Sequence, residues 1–332
     1  MNQTIDVITI GNAIVDVLSY EDDAFLEKHG LVKGSMALID PEQAETLYSD
    51  MGTAVEISGG SASNTAAGFA SFGGKGRYIG KVCDDQFGAL FAHDIRAIGV
   101  TFDTPAIQGF PPTARSFIIV TPDAQRTMNT YLGACVELGP DDIDPDTIAE
   151  AQITYMEGYL WDKPTAKDAF IKAAEAAHAA GKQVSLTLSD TFCVERHRES
   201  FLDLVTNHID IIFANEAEAL ALYETDDLAS ALDRFREHCA ITAVTRSEKG
   251  SIIATATDRI EIDAVPPSRL VDTTGAGDLY ASGFLYGLST KRPLAECGQL
   301  ASLAASEIIS HLGPRPEKSL ADLAREKGLL AP

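Results

Sequence analysis

The run Asp272-Thr273-Thr274-Gly275-Ala276-Gly277-Asp278 gathers residue types suited to handling an anion and a proton together. Small residues at 275–277 let backbone N–H groups approach an anion closely. A helix opening there adds about half a positive charge at its N-terminus. The combination is a phosphate cradle. Asp278 falls in the first turn of the helix that apolar spacing predicts over 276–288. A carboxylate at that place can take the proton of a hydroxyl while the cradle stabilises charge on a transferring phosphoryl group. General-base action of this kind contributes about 10²–10⁴-fold in rate, and positioning and electrostatics supply the rest. The same seven residues also fit a plain glycine turn followed by an ordinary first-turn acid. The chain contains no G-x-x-x-x-G-K-[ST], which excludes a Walker-type loop, and no G-x-G-x-x-G after a strand, which weakens a nicotinamide oxidoreductase reading.

These residues need a scaffold, and the pattern predicts one. Val7 to Ile10 reads as a first strand, followed after a turn by the apolar run Val15 to Leu18. Met36 to Ile39 and Ala54 to Ile57 look extended, with helices over Glu21 to His29 and Pro41 to Tyr48 between them. Ser61 to Phe72 is helical and stopped by Gly73-Gly74. Ser116 to Val120 and Thr127 to Leu132, separated by Pro122-Asp123, read as a hairpin. From about residue 145, short apolar runs alternate with helices, the rhythm of a parallel sheet covered on both faces. Strands are expected at Ile153 to Met156, Gln183 to Leu188, Ile209 to Phe213 and Ile241 to Val244. A helix is expected over Arg198 to Val205, and a short extended stretch over Arg269 to Val271. The expected architecture is α/β, a doubly wound and mostly parallel sheet. Residues 1–12, 58–108 and 134–332 form the large domain, and 13–57 with 109–133 form a small β-rich lid.

Of the 332 residues, 26 are basic and 49 acidic, giving a net charge of −23. That surface repels nucleic-acid phosphates and anionic lipid, so neither is an expected partner. A hydrophobic fraction of 45% is ample for a buried core. The five Cys (83, 135, 193, 239, 297) are widely spaced without C-x-x-C, which reads as reduced thiols in a cytoplasmic protein. No signal peptide is expected from the opening MNQTIDVITIGN, and no apolar stretch approaches the ~18 residues of a membrane span.

The segment at 272–278 resembles the second signature of the ribokinase-like (PfkB) family of carbohydrate and nucleoside kinases. Gly59-Gly60-Ser61-Ala62-Ser63-Asn64, with Gly73-Gly74, Ile79-Gly80 and Asp84-Asp85-x-Phe87-Gly88, resembles its first. The two stand in the family's order, and the likeness runs over essentially the whole chain. The resemblance implies that Asp278 is the base, that Gly275, Ala276 and Gly277 supply anion-hole amides, and that Asp272 and Thr273 shape the nucleotide site, near a monovalent cation such as K⁺. Asn215-Glu216-Ala217-Glu218 is similar to the family's N-x-x-E element, which implies Mg²⁺ held by Glu218 through water. Asn at N-cap with Glu at N3 is equally a capping box.

Asn12 and Asp16, with Gly59, Gly60, Ser61 and Asn64, match the family's substrate-binding start. A carboxylate such as Asp16 can accept from two adjacent sugar hydroxyls, and it also fits a turn acid. Arg126, in the lid, is implied to swing onto phosphates; a solvated strand-end arginine is its other reading. Thr245 and Arg246 are nucleotide-site candidates, although Ser247 stands where the V-T-x-G pattern has glycine. With so acidic a surface, an ATP site needs local compensation from Mg²⁺, arginines and helix N-termini.

Within the family, three stretches look most like bacterial adenosine-kinase-type members: Gly11 to Asp16, Arg126 to Ala134 and His311 to Pro316. The implied reaction is transfer of the γ-phosphate of ATP to the 5′-hydroxyl of adenosine. Ribose, fructose, 2-keto-3-deoxygluconate and other purine nucleosides stay open as acceptors, and so does a non-catalytic nucleoside-binding protein. Ile14, Phe117, Tyr159 and Trp161 are candidate walls for a base, although each taken singly reads first as a core residue. The chain is expected to act as a monomer or homodimer.

Overall fold

A computed structural model describes residues 5–123 and 125–331. Residues 1–4, the start of the segment assigned to the large domain, residue 124 within the expected lid, and residue 332 lie outside them. Strand Val7–Ile10 stands third from one edge of a nine-stranded sheet. On one side of it lie Gly76–Ile79 and Thr101–Phe102. On the other lie, in order, Ile153–Glu157, Gln183–Thr187, Ile211–Asn215 and Ile241–Thr245, all parallel. The hairpin of Ser251–Ala254 and Arg259–Ile262 closes that edge in antiparallel pairing.

The strands read as continuous apolar runs because both faces are buried. Along Ile211–Asn215, Ile211 and Phe213 enter one core while Ile212 and Ala214 enter the other. Val7 and Ile8 divide in the same way. The chain leaves Val7–Ile10 first toward Gly76–Ile79 and later returns to its other side at Ile153–Glu157. The strand order reverses there, and in open α/β sheets ligands bind at such a switch point, beyond the carboxyl ends of the strands.

A second sheet of five strands has the order Met36–Leu38, Arg126–Tyr131, Ala114–Val120, Ile14–Tyr20, Ala54–Gly59. Its strands all come from 14–59 and 114–131. Its two faces follow from register. Asp16 pairs with Ser116, Ser116 with Thr130, and Thr130 with Leu38; Met128 pairs with Met36. These side chains share one face with Ile14. The intervening Val15, Val17, Phe117 and Ile119 point the other way into the core beneath helices Pro41–Asp50 and Gln86–Ala97.

Two expectations about elements differ from the structure. The helix expected from Arg198 begins at Thr191, capped by Asp190, and is interrupted at His197, whose φ/ψ is non-helical. Pro-free sequence without an apolar period at 191–197 hid that first turn. Arg269 to Val271 is irregular rather than extended, because the Val271 amide donates to the Ile309 carbonyl (2.9 Å) at the end of a helix and not to a sheet partner. Among the described residues, no helix is long and apolar enough to cross a membrane.

Candidate active site

A cleft of about 1190 Å³ runs between the cleft-facing side of the small sheet and the carboxyl ends of the large sheet. Its wall includes Asn12, Glu157, Thr187, Asn215 and Thr245, each at or just past the end of a parallel strand.

Helix Ala276–Ser289 opens on this cleft, with Gly275 as its N-cap at φ 79°. The Ala276 amide donates to the Thr273 carbonyl (3.2 Å). The Gly275 and Gly277 amides have no acceptor among the described residues, so two of the three cradle amides remain open to an anion. Asp278 lies one turn in and lines the cleft. Its Oδ1 accepts from the Ser61 hydroxyl (2.6 Å) and its Oδ2 from Asn64 Nδ2 (3.0 Å). Burial pushes this carboxyl up; the Ser61 and Asn64 donors and the Arg315 charge hold it down, and burial wins. The structure therefore brings together the two sequence signatures, and Ser61 and Asn64 face Asp278 directly.

The turn that delivers Ser61 depends on two glycines. Gly60 has φ 91°, and a Cβ there would overlap the Asn12 carbonyl oxygen. Gly59 lies against the Asp16 carboxylate, where a Cβ would collide with Oδ2. The carboxylate of Glu157, only 1% exposed, then joins two elements: Oε1 accepts from the Asn12 amide (2.9 Å) and Oε2 from the Ala62 amide. Burial raises Glu157 to about 7. Sequence reasoning missed Glu157, although an acid directly after the apolar strand Ile153 to Met156 was a signal.

Asp16 is 8% exposed and sits on the cleft face of the small sheet. Burial pushes it to about 7; Arg315 and Arg126 pull it down and the Asp278 charge pushes it further up. A carboxyl raised in this way favours the fold while neutral, so its contribution is complete below the unfolded value of 3.8 and is lost as pH rises through about 7. In Asp16→Asn the fall in unfolding free energy of the unliganded protein between pH 5 and pH 8 is expected to be smaller than in wild type, by on the order of 2 kcal/mol. Chemical denaturation at the two pH values measures it; an unchanged fall would mean that Asp16 is not held in a desolvated place.

The loop before the cradle is tied down by Asp272. Its Oδ1 accepts from the Thr274 amide (3.1 Å) and hydroxyl (2.8 Å), and its Oδ2 from Arg126 Nη1 and the Gly313 amide. Burial pushes Asp272 up, but the Thr274 amide and Arg126 outweigh it and the net shift is downward. Arg126 also donates to Thr274 Oγ1 (2.7 Å), so the guanidinium joins the small sheet to the anion loop. Nε and Nη2 of Arg126 are buried without a partner among the described residues, which leaves two donors able to take an acceptor in the cleft.

At Asn215 the capping box is present. Asn215 Oδ1 accepts from the Glu218 amide (2.8 Å), and Glu218 Oε2 accepts from the Asn215 amide (3.0 Å). Burial raises Glu218 to about 7, and the residue lines the cleft. Thr245 and Thr273 line it as well. Arg246 does not: its guanidinium donates to the Lys249 carbonyl (3.2 Å) and pairs with Glu261 (3.6 Å), because Ser247, at φ 54°, turns the chain aside. Of the proposed base walls, Ile14 and Tyr159 line the cleft. Phe117 lies one residue out of phase on the opposite face of its strand, and Trp161 packs on Phe170 and Phe201 in the core, so neither reaches it. Apolar side chains that do include Met36, Leu38 and Met128 of the small sheet and Phe192, Val265 and Leu270 of the large domain; Met36 and Leu38 are each 59% exposed. Met36 and Leu38 stand on a three-residue edge strand and Met128 on its neighbour Arg126–Tyr131, which gave no reason to single them out.

Comparison with known proteins bears on this cleft. The family model described as pfkB family carbohydrate kinase matches residues 24–319. A solved adenosine kinase from Sinorhizobium meliloti is 56% identical over 98% of this chain and 100% of its own, with a TM-score of 0.90. A probable sugar kinase from Rhizobium etli CFN 42 is 54% identical over 98% and 99%, with a TM-score of 0.91. A 5-dehydro-2-deoxygluconokinase from Geobacillus thermodenitrificans is 29% identical over 76% of this chain and 78% of its own.

Proposed function

The chain belongs to the pfkB family of carbohydrate kinases, phosphotransferases that use ATP and Mg²⁺ and act on a hydroxyl of a nucleoside or sugar, and from that premise we propose that its acceptor is adenosine, phosphorylated at the 5′-hydroxyl. The observation that carries this reading is one cleft in which Asp278 sits beside the open amides of Gly275 and Gly277 and opposite Asp16. On the same sheet face, Ser116 and Thr130 lie beside Asp16, and Ile14, Met36, Leu38 and Met128 form an apolar strip. Asp16 suits two neighbouring ribose hydroxyls, and the apolar strip beside it suits a flat base. A free sugar has no use for that strip. The identity with the Sinorhizobium adenosine kinase supports the same choice.

In this reading Asp278 accepts the 5′-hydroxyl proton as the hydroxyl oxygen attacks the γ-phosphorus. The bond from the γ-phosphorus to the β,γ-bridging oxygen breaks, and ADP leaves. The Gly275 and Gly277 amides and the helix N-terminus face the charge on the transferring group. The carboxyl of Asp278, raised by burial and faced by Ser61 and Asn64, is a better proton acceptor than a solvated aspartate. Arg126 and Asp272 fix the loop that presents those amides. Closure of the small sheet, 13–57 with 109–133, excludes water from the transfer.

Magnesium supplies positive charge to the phosphates. Glu218, whose two oxygens accept from the Asn215 amide and Nδ2, would hold the ion through a water, which leaves it room for further waters and phosphate oxygens. Among the described residues no group of three or more His, Cys, Asp or Glu side chains forms a complete cage. Asp272 does not fit as a direct ligand of a monovalent cation, since both of its oxygens already accept protein donors.

Sugar phosphorylation is the second reading, favoured by the identity with the Rhizobium probable sugar kinase. ADP release measured with adenosine, inosine, guanosine, ribose, fructose and 2-keto-3-deoxygluconate separates the two. Adenosine is expected to give the highest kcat/KM. Strong turnover of a free sugar with none of adenosine would replace the nucleoside reading by the second one. No ADP release with any acceptor in the panel would favour a non-catalytic nucleoside-binding protein.

A further inference from the structure

Arg315 lies far along the chain from both signatures, in the tail that follows helix Leu294–Ile308. Its guanidinium makes five hydrogen bonds, all to two serines. Nε and Nη2 donate to the Ser58 carbonyl (3.0 and 2.8 Å), and Nη2 also to Ser58 Oγ (3.1 Å). Nη1 donates to the Ser63 carbonyl (2.8 Å) and Nη2 to Ser63 Oγ (3.0 Å). Ser58 and Ser63 bracket the Gly59-Gly60 turn and the start of helix Ser61–Ser71. Gly59 carries the Asp16 carboxylate on its surface, and the first turn of the helix carries Ser61 and Asn64 to Asp278. Ser58 also receives a restraint from another element, since its amide donates to Asp94 Oδ2 (3.1 Å). No carboxylate is bonded to Arg315 among the described residues, so its charge is not cancelled by a direct partner.

We propose that Arg315 is a positioning residue for phosphoryl transfer: it clamps both ends of the Gly59-Gly60 turn so that Ser61 and Asn64 hold Asp278, and it supplies the positive charge that lets Asp16 and Asp278 share one cleft. The inference rests on the reading of Asp278 as the base, and it gives the reason a partly buried cation stands behind a glycine turn.

The electrostatics agree with the geometry. Asp278 is faced by Arg315 from the tail, by Asp16 from the small sheet, by Ser61 and Asn64 from the helix, and by Glu157, Tyr155 and Tyr159 from the strand Ile153–Glu157 and the turn after it. Arg315 holds both Asp16 and Asp278 down against burial. Burial in turn lowers Arg315 itself to about 10, opposed first by Asp16.

Two variants separate the clamp from the charge. Arg315→Gln keeps hydrogen-bonding capacity and loses the charge. Arg315→Lys keeps the charge and loses the planar fork that spans two serines. The primary readout is the ¹³C-carboxyl titration of Asp278, identified against Asp278→Asn, which needs no acceptor. Arg315→Gln is expected to raise that titration by about one pH unit, and to move the acid limb of kcat/KM the same way. Arg315→Lys is expected to leave the titration near that of wild type while kcat falls about 10-fold, as Asp278 loses its fixed partners. An Asp278 titration unchanged in Arg315→Gln would overturn the proposal, and so would failure of both variants to fold by circular dichroism. A failed adenosine assay in wild type is a separate result: it removes the acceptor, and the carboxyl titration still reads the role of Arg315.

Discussion

Asp278→Asn is expected to lower kcat by about 10²–10⁴-fold, with the unfolding transition of the protein nearly unchanged. Asn has the shape of Asp and retains one acceptor, so Ser61 can still donate to it. The amide nitrogen of Asn, however, meets Asn64 Nδ2, the donor that now bonds Oδ2 at 3.0 Å. One of those two donors then loses its partner, a local cost of about 1–3 kcal/mol at the cleft wall and not in the core. The chemical effect is larger. A neutral amide cannot accept the proton of the attacking hydroxyl, and the open amides of Gly275 and Gly277 alone then support the transfer. Binding of ATP should survive, because none of the groups assigned to phosphate contact is changed. Steady-state kinetics with a thermal melt decide the matter. A variant with kcat within about 10-fold of wild type would show that the proton leaves by another route, and the base would have to be sought elsewhere on the cleft wall.

Much of this site was legible in the sequence because its parts are local. A glycine-rich segment opening a helix fits either a cradle or a plain turn, and the resemblance of both signatures to the family is what singled out Asp278. The alternation of apolar runs and helices after residue 145 likewise specified a doubly wound sheet. Residues whose roles depend on distant partners were not legible. Glu157 matters because the switch point brings its strand beside Asn12, and Arg315 because the C-terminal tail returns across the turn at 59–60; an acid at a strand end marks Glu157, but neither partner can be read from local spacing. Phe117 and Trp161 failed as base walls for a different reason. An aromatic residue in a strand is apolar on either face, and only the register, which pairs Asp16 with Ser116 and so places Phe117 opposite the cleft, decides its side. Arg246 failed because a charge beside a strand end says nothing of which way the following turn, with Ser247 at φ 54°, will send it.

The second large effect is expected at Asp16. Asp16→Ala should raise KM for adenosine by about 10²-fold and leave KM for ATP within about 2-fold, since two hydrogen bonds from ribose hydroxyls to a carboxylate are lost and each such bond contributes about 1.5–3 kcal/mol. Non-additivity keeps the sum below the arithmetic total. The pH dependence gives the argument its direction. Hydroxyls donate best to the ionised carboxylate, and burial has raised Asp16 to about 7, so KM for adenosine in wild type should fall as pH rises through neutrality. In Asp16→Ala that slope should vanish, and what remains belongs to Asp278 and the phosphates. Gly59→Ala should reproduce the change in KM without removing any acceptor atom, because its Cβ would occupy the space of the Asp16 carboxylate. Stability should move in the opposite sense to affinity: the residue that costs most as a buried carboxylate is the one whose loss most weakens acceptor binding, which is the expected signature of a group retained for function. If Asp16→Ala bound adenosine as wild type does, the ribose would not lie against this strand, and the apolar strip of Met36, Leu38 and Met128 would lose its claim to the base at the same time.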